Sequence, residues 1–137
     1  MSIETIEPDG WPRPRGYSNG KLAPEGARML FVAGQVAWDT SERIVGAGDF
    51  PAQFRQALSN VLAVVAAAGG GPEHVVRMTI YVTSKQAYLD SLKAVGEIYR
   101  ELMGRNYPAM ALVAVAALVE DGAMLEIEAT AALPGRG

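Results

Sequence analysis

The chain of 137 residues contains no cysteine and a single histidine, His74. Without cysteine it can form neither disulfides nor thiolate zinc sites, and no second histidine exists to complete a metal-ligand pair. The sequence therefore gives no support for a metal site, and a reducing location, the cytoplasm, is expected. His74 follows "GPE" in a turn before a predicted strand, where a surface position is expected rather than a catalytic one.

Long apolar runs and dense basic runs are missing as well. No uninterrupted apolar run approaches the roughly 18 residues of a membrane-spanning helix, and the start "MSIETIEPDGW" has no basic segment leading into an apolar one. A formal net charge of -3 argues against a nucleic-acid partner, because phosphates call for a basic patch. The glycine-rich "GAGDF" and "AAAGGG" lack the Gly-Lys-Ser/Thr of a phosphate loop. These two stretches are interpreted as turns.

What is present is the composition of a globular protein, with 50% hydrophobic and 20% charged residues. We expect residues 1–137 to form one domain. The segment "ARMLFVAGQVAWD" predicts a strand whose middle is buried on both faces, and Gly34 inside it indicates a bulge or a close approach. "HVVRMTIYVTS" alternates as a strand with one face on a core. "MALVAVAAL" and "AMLEIEATAAL" predict two final strands, joined through "EDG" as a hairpin.

Two helices separate these strands. "GDFPAQFRQALSNVLAVVAAAGGG" is the clearest, with Asp49 as the N-cap, Pro51 in the first turn and the glycines from Gly69 onward as the stop. "SKQAYLDSLKAVGEIYRELMGRNYP" predicts a second helix, ended by Gly104 and Pro108. The order of elements indicates an α+β fold, a single sheet with two helices on one face. The uncovered face is expected to be apolar and to favour association.

Two carboxylates stand out in the last predicted strand. Glu126 and Glu128 share one face by the period of two, and the apolar Leu125 and Ile127 share the other. Both glutamates should therefore point away from the helix-covered core. The simpler interpretation is that both are solvated. The alternative makes one of them a general acid or base in a cleft between subunits.

Five segments in this order, "GYSNG", "LFVAGQVAWD", "QFRQALSNVLAVVAAAGGGPEHVVRMTIYVT", "YPAM" and "EIEATA", resemble the RidA family. This family is also known as YjgF or Rid, the reactive intermediate deaminases, or by the older label L-PSP endoribonucleases. The resemblance covers nearly the whole chain. It implies a chorismate-mutase-like (YjgF-like) subunit that assembles as a homotrimeric barrel, with the helices outside and small-molecule clefts between subunits.

The resemblance also implies an activity, the hydrolysis of reactive enamines and imines to a keto compound and ammonium without a cofactor. The family glutamate that positions water matches Glu126. The residues that line the pocket match Tyr17 and Gly34. At the position of the arginine that holds the substrate carboxylate this chain has Met110, and the second position after it is Leu112.

Methionine cannot pair with a carboxylate, and a charge-assisted bond of that kind is worth about 1.5–3 kcal/mol. Its loss predicts roughly tenfold to several hundredfold weaker binding of small imino acids. The nearby Arg105 and Lys93 are candidate substitutes, although Arg105 is expected to be exposed. Two hypotheses stay open: a deaminase with a larger or less acidic substrate, and a non-catalytic trimer that binds a small ligand or a partner. The acidic balance and the single histidine disfavour a ribonuclease.

Overall fold

A computed structural model describes residues 2–136, and its principal feature is a four-stranded mixed sheet covered by helices on one face. The α+β class predicted from the sequence is confirmed. The elements in chain order are β1 (Glu4–Ile6), β2 (Gly20–Leu22), β3 (Arg28–Gln35), α1 (Phe50–Ala67), a 3₁₀ turn (Pro72–His74), β4 (Val75–Val82), α2 (Lys85–Asp90), α3 (Leu92–Met103), β5 (Ala109–Ala114) and β6 (Leu125–Leu133).

The order of strands in the main sheet is β3-β6-β4-β5. β6 pairs antiparallel with both β3 and β4, whereas β5 pairs parallel with the far edge of β4. The prediction that "EDG" closes a hairpin between the last two strands is therefore wrong, because β5 and β6 are not neighbours. Residues 115–124 carry the chain from one side of β4 to the other.

The prediction of a single sheet also needs correction. β1 and β2 form a separate two-stranded antiparallel sheet. Between these strands runs the proline-rich stretch at residues 7–19, which contains no helix or strand. The loop between β1 and β2 places residues 15–18 beside the start of β5, where Ser18 forms an isolated bridge to Ala109.

The first helix begins and ends as predicted. The Asp49 side chain accepts a hydrogen bond from the Ala52 amide at 3.1 Å, Pro51 lies in the first turn, and Gly69 beyond the C-cap has φ +88°, a conformation that glycine adopts without strain. The second predicted helix is divided into α2 and α3 at Ser91, whose hydroxyl donates to the Ala87 carbonyl at 2.8 Å. This side chain competes with the backbone and breaks the helix.

The core lies between α1, α3 and one face of the sheet, and includes Leu58, Met78, Ile80, Leu125 and Ile127. The opposite face is less apolar than expected, since its centre carries Thr79, Tyr81, Glu126, Glu128 and Thr130. Large apolar groups on that face lie toward the flanking strands. The middle of β3 is not buried on both faces as predicted, because Phe31 is 77% exposed.

Gln53 of α1 holds the connection between β5 and β6 in place. Its fully buried amide donates to the carbonyls of Gly46 and Gly122 at 3.1 and 3.0 Å, and its oxygen accepts from the Met124 amide at 2.9 Å. One side chain thus satisfies three backbone groups that no strand or helix pairs. This fixes the start of β6, and therefore the register in which Glu126 is presented.

Candidate functional site

A cavity of about 410 Å³ opens between α2, α3 and the edge strand β5. Met110 and Leu112 project into it from β5, and Ile80 and Val95 form part of its apolar wall. Both β5 side chains lie on the helix-covered face, because Met110 pairs with Met78 and Leu112 with Ile80 across the parallel ladder. Both side chains therefore lie in an apolar part of the cavity.

Two tyrosines form a rigid side of this cavity. Tyr99 and Tyr107 stack with ring centroids 5.2 Å apart and an interplanar angle of 12°. The Tyr99 hydroxyl donates to the Asn106 carbonyl at 2.6 Å, and the Asn106 amide donates to the carbonyls of Pro72 and Val75 at 2.8 and 2.9 Å. Burial is the main reason that the pKa of Tyr99 is raised above its ordinary value. This phenol therefore stays neutral and acts as a structural support.

Tyr17 reaches the same cavity from the loop between the two short strands. The neighbouring Ser18 is buried, its amide donates to the Pro108 carbonyl at 3.1 Å, and its hydroxyl donates to the Tyr107 carbonyl. These bonds fix the backbone beside the start of β5. Tyr17 is 41% exposed and also borders a smaller cavity of about 190 Å³ with Arg77 and Ala109. It therefore stands at the sheet edge with access to both cavities.

Gly34 and Glu126 lie together on the other face of the sheet. The ladder between β3 and β6 shifts register between Val32 and Gln35, which confirms the bulge predicted at Gly34. A Cβ atom at Gly34 would lie 2.7 Å from Glu126 Oε2 and 2.9 Å from Cδ. The absence of a side chain at position 34 is thus what leaves room for the Glu126 carboxylate.

Beside Glu126 on the same face, Glu128 forms a hydrogen-bonded pair with Tyr81. The Tyr81 hydroxyl donates to Glu128 Oε1 at 2.6 Å. This bond is the largest contribution to a pKa of Tyr81 that is raised above its ordinary value. The two glutamates therefore differ in role, since Glu128 is engaged with a neighbour while no side-chain hydrogen bond to Glu126 forms among residues 2–136.

The five residues assigned from the sequence consequently form two separate groups. Tyr17, Met110 and Leu112 line the cavity beside the helices, whereas Gly34 and Glu126 meet on the opposite face. Within one copy of the chain the structure does not bring these groups together. The first group has a cavity but no carboxylate. The second group has a carboxylate but no enclosing cavity.

Sequence reasoning missed two cations of the cavity, Arg15 and Arg100. Arg105 is exposed as expected, and it lines an adjoining cavity of about 680 Å³ with Arg13 and Arg100. Lys93 is exposed and borders neither cavity. The segment "RPRG" directly before Tyr17 could have indicated these cations, because two arginines so close to a cavity residue place positive charge at the edge of the cavity.

Two negative findings concern residues 2–136 alone. No helix in this range combines the length and hydrophobicity needed to cross a bilayer. No group of three or more histidine or acidic side chains in the same range is arranged to hold a metal ion.

The family model described as endoribonuclease L-PSP matches residues 14–133. The chain belongs to the Rid family. A Rid-family protein of unknown function from Yersinia pestis, YyfB, has a solved structure that superposes with a TM-score of 0.84 at 34% identity, covering 97% of this chain and all of that one. RidA from a Psychrobacter species superposes with a TM-score of 0.67 at 29% identity, covering 95% of this Rid chain and 99% of that structure.

Curated relatives of this Rid chain include a RutC family protein and a deaminase. A RutC family protein of Pyrococcus horikoshii is 33% identical over 129 residues, which is 93% of this chain and 96% of the relative. The human 2-iminobutanoate/2-iminopropanoate deaminase is 34% identical over 104 residues, 76% of this chain and 72% of the human protein. The Rid family and its deaminase-named members are thereby shown as this chain's relatives.

Proposed function

We propose that this Rid chain hydrolyses the C=N bond of reactive imines and enamines, giving a keto compound and ammonium. The proposal includes a homotrimer, in which the cavity beside Met110 in one copy is completed by Gly34 and Glu126 of the next. The observation that carries it is the split site: a well-formed cavity without a carboxylate, and a carboxylate held beside a glycine without a cavity. A cyclic assembly joins two such different surfaces of one chain at every interface.

The chemistry assigned to Glu126 is that of a general base and then a general acid. An enamine first tautomerises to its imine. The imine reacts in its protonated form: Glu126 accepts a proton from water as the water oxygen bonds to the iminium carbon, which gives a neutral carbinolamine. The carboxylic acid then returns that proton to the nitrogen. As the C–N bond breaks, the Glu126 carboxylate accepts the hydroxyl proton, the carbonyl forms, and the departing ammonia takes up that proton as ammonium. Atoms balance with one water consumed, and no electrons are transferred to or from an external partner.

The substrate preference follows from the cavity wall. Met110 and Leu112 present apolar surface where a small 2-imino acid would place its carboxylate. Burying that carboxylate against a thioether leaves the charge without a partner, which is costly. We therefore expect poor turnover of 2-iminopropanoate and better turnover of imines with a larger apolar body.

A second function is favoured by the same methionine. Met110 makes the chain a candidate for a non-catalytic trimer that binds a small apolar ligand in the cleft between subunits. The two candidates differ in whether ammonium is released. The panel combines 2-imino acids generated in situ by amino-acid oxidases, with side chains from methyl to benzyl, and imines without the adjacent carboxylate, generated from aliphatic and aromatic amines by amine oxidases. Ammonium release that is abolished by Glu126→Gln and retained in Glu128→Gln, on the same strand face, supports the deaminase.

The shared site has its own experiment. Glu126→Gln removes the carboxylate, and Leu112→Trp fills the cavity; each variant alone should be inactive. Unfolding the two together and refolding them as mixed trimers should regenerate about one quarter of the sites as intact pairs, because each site then draws one half from either variant at random. The control is the same mixture combined without unfolding.

The outcomes of this mixing separate the possibilities. Recovery only after joint refolding supports a site built by two copies. No recovery, with trimers present by analytical ultracentrifugation, contradicts the shared site. Silence of the unmodified chain across the whole imine panel contradicts the deaminase and leaves the ligand-binding trimer.

A further inference from the structure

Arginine is concentrated at one end of the molecule, around Tyr107. Arg15 and Arg100 line the 410 Å³ cavity that contains Met110. Arg13, Arg100 and Arg105 line the adjoining cavity of about 680 Å³. Arg100 and Tyr107 border both cavities, so the two spaces are adjacent.

These four arginines have no acidic partner in the part of the chain from residue 2 to residue 136. Ion pairs in that range involve Arg55 with Glu101 and His74 with Glu73. No aspartate or glutamate of the described residues lines either cavity. In a chain with a net charge of -3, such segregation leaves a strong local positive potential at the mouth of an apolar space.

The inner end of the cavity has the opposite character. Met110 and Leu112 cannot hold an anion, while Arg15 and Arg100 lie on the same walls. Arg15 and Arg100 are both exposed, whereas Met110 and Leu112 are half-buried. The cavity thus combines an apolar interior with a cationic entrance.

We propose that the substrate carries a distal anionic group, a carboxylate or a phosphate, that binds to Arg15 and Arg100 while an apolar spacer lies against Met110 and Leu112. This inference rests on the proposed function and specifies its substrate class: imines with the anion several carbons away from the C=N bond. Guanidinium groups suit both anions, because their fork of donors binds two oxygens at once. The arginine lost beside the reacting carbon is thereby replaced by arginines at the entrance.

The experiment measures binding of product-like keto compounds to the inactive Glu126→Gln protein by isothermal titration calorimetry. The probes are 6-oxoheptanoate, its neutral amide 6-oxoheptanamide, 5-oxohexyl phosphate and 2-oxobutanoate. We expect the distal acid to bind at least about tenfold more tightly than the amide, and 2-oxobutanoate to bind weakly. Tighter binding of the phosphate than of the distal carboxylate would identify a phosphate ester as the natural group, and the reverse a carboxylic acid.

The variants are Arg15→Gln and Arg100→Gln, each of which should reduce the preference for acid over amide severalfold. Arg28→Gln removes the same charge at the opposite edge of the sheet, on β3, and should leave the preference unchanged. Arg100→Lys keeps the positive charge and should retain part of the preference for acid over amide. Should either glutamine variant alter the fold, loss of the preference with rising salt in the Glu126→Gln parent gives an independent measure.

Equal binding of acid and amide to the Glu126→Gln protein would overturn the anion site, as would a preference that survives both glutamine substitutions. These outcomes are independent of hydrolysis. A preserved acid preference with no ammonium release from any imine would refute the deaminase and leave the anion site standing. Ammonium release at the same rate from imines with and without a distal charge would support the deaminase and refute the anion site.

Discussion

Met110 and Glu126 lie on opposite faces of the same four-stranded sheet. Met110 on β5 pairs with Met78, whose other partner, Ala129, lies on the core face of β6, whereas Glu126 pairs with Tyr81 on the other face. A small molecule in the cavity beside Met110 therefore cannot reach Glu126 of the same copy. Any reaction that uses both residues requires a second copy of the chain.

The close approach of Gly34 to Glu126 can be tested by adding one methyl group. In Gly34→Ala the new Cβ would lie 2.7 Å from Glu126 Oε2, so the carboxylate must move. We expect kcat/KM for the best imine to fall by about 100-fold, the effect of a displacement near 1 Å. The free energy of unfolding in urea should change by less than about 1 kcal/mol, because alanine is favoured over glycine within a strand.

A double variant provides the control for this prediction. If Gly34→Ala acts by displacing the carboxylate, it should cause no further loss of activity in a Glu126→Gln background. Additive losses would show that position 34 acts on another group.

Restoring a cation at position 110 should change the substrate preference. We expect Met110→Arg to improve kcat/KM for 2-iminopropanoate by roughly tenfold to several hundredfold, the value of a charge-assisted bond to its carboxylate. The cavity of about 410 Å³ has room for the longer side chain. Met110→Gln is the matched control, since it is polar and uncharged and should give no comparable gain. A failure of Met110→Arg to exceed Met110→Gln would contradict the assigned position of the substrate carboxylate.

The buried amide of Gln53 predicts a large effect on stability. Gln53→Met keeps a similar volume but leaves the Gly122 carbonyl and the Met124 amide without their partner, and removes one of two hydrogen bonds to the Gly46 carbonyl. We expect the free energy of unfolding to fall by about 3 kcal/mol, measured by urea unfolding at a fixed protomer concentration. Gln86→Met removes an exposed amide that donates to Asp90, and should change the free energy of unfolding by less than about 0.5 kcal/mol. Similar values for the two variants would refute the role given to Gln53.

The Tyr81–Glu128 pair predicts a dependence on alkaline pH. The hydrogen bond to Glu128 raises the pKa of Tyr81 in the folded protein, so the stability it contributes is complete below the unfolded tyrosine pKa of about 10 and is lost as pH rises through the folded value. Ultraviolet titration of tyrosinate, with Tyr81→Phe to identify the contribution of Tyr81, should show that the pKa of Tyr81 is lower in Glu128→Gln than in the unmodified protein. An identical titration in that variant would contradict the pairing.

Local features of the fold were predictable because they depend on short stretches of sequence. The cap at Asp49, the stop at Gly69 and the outward direction of Glu126 and Glu128 follow from capping chemistry and the period of a strand. The bulge at Gly34 was indicated by a glycine within an apolar strand. The break at Ser91 was missed because helix periodicity continues across it, and only a hydroxyl bonding back to Ala87 interrupts the helix.

Relationships between distant elements were not predictable in the same way. Nothing in the residues around "EDG" reveals that β5 pairs parallel with β4, since a hairpin and a crossover demand similar strands on either side. The separation of Met110 from Glu126 depends on β4 lying between β5 and β6. The arginines around Tyr107 come from segments about 90 residues apart in sequence, and only the tertiary fold assembles them.

The place of β6 between β3 and β4 has a consequence for biosynthesis. Both flanking strands leave the ribosome before residues 125–133 exist, and neither can pair with the other in the finished sheet. At translation rates of about 5–20 residues per second, the nascent chain spends several seconds with open strand edges and an uncovered α1. During this interval the unpaired edges of β3 and β4 can pair with strands of other nascent chains. Chaperone binding to the segment from β3 to β4 would prevent this pairing until β6 is synthesised.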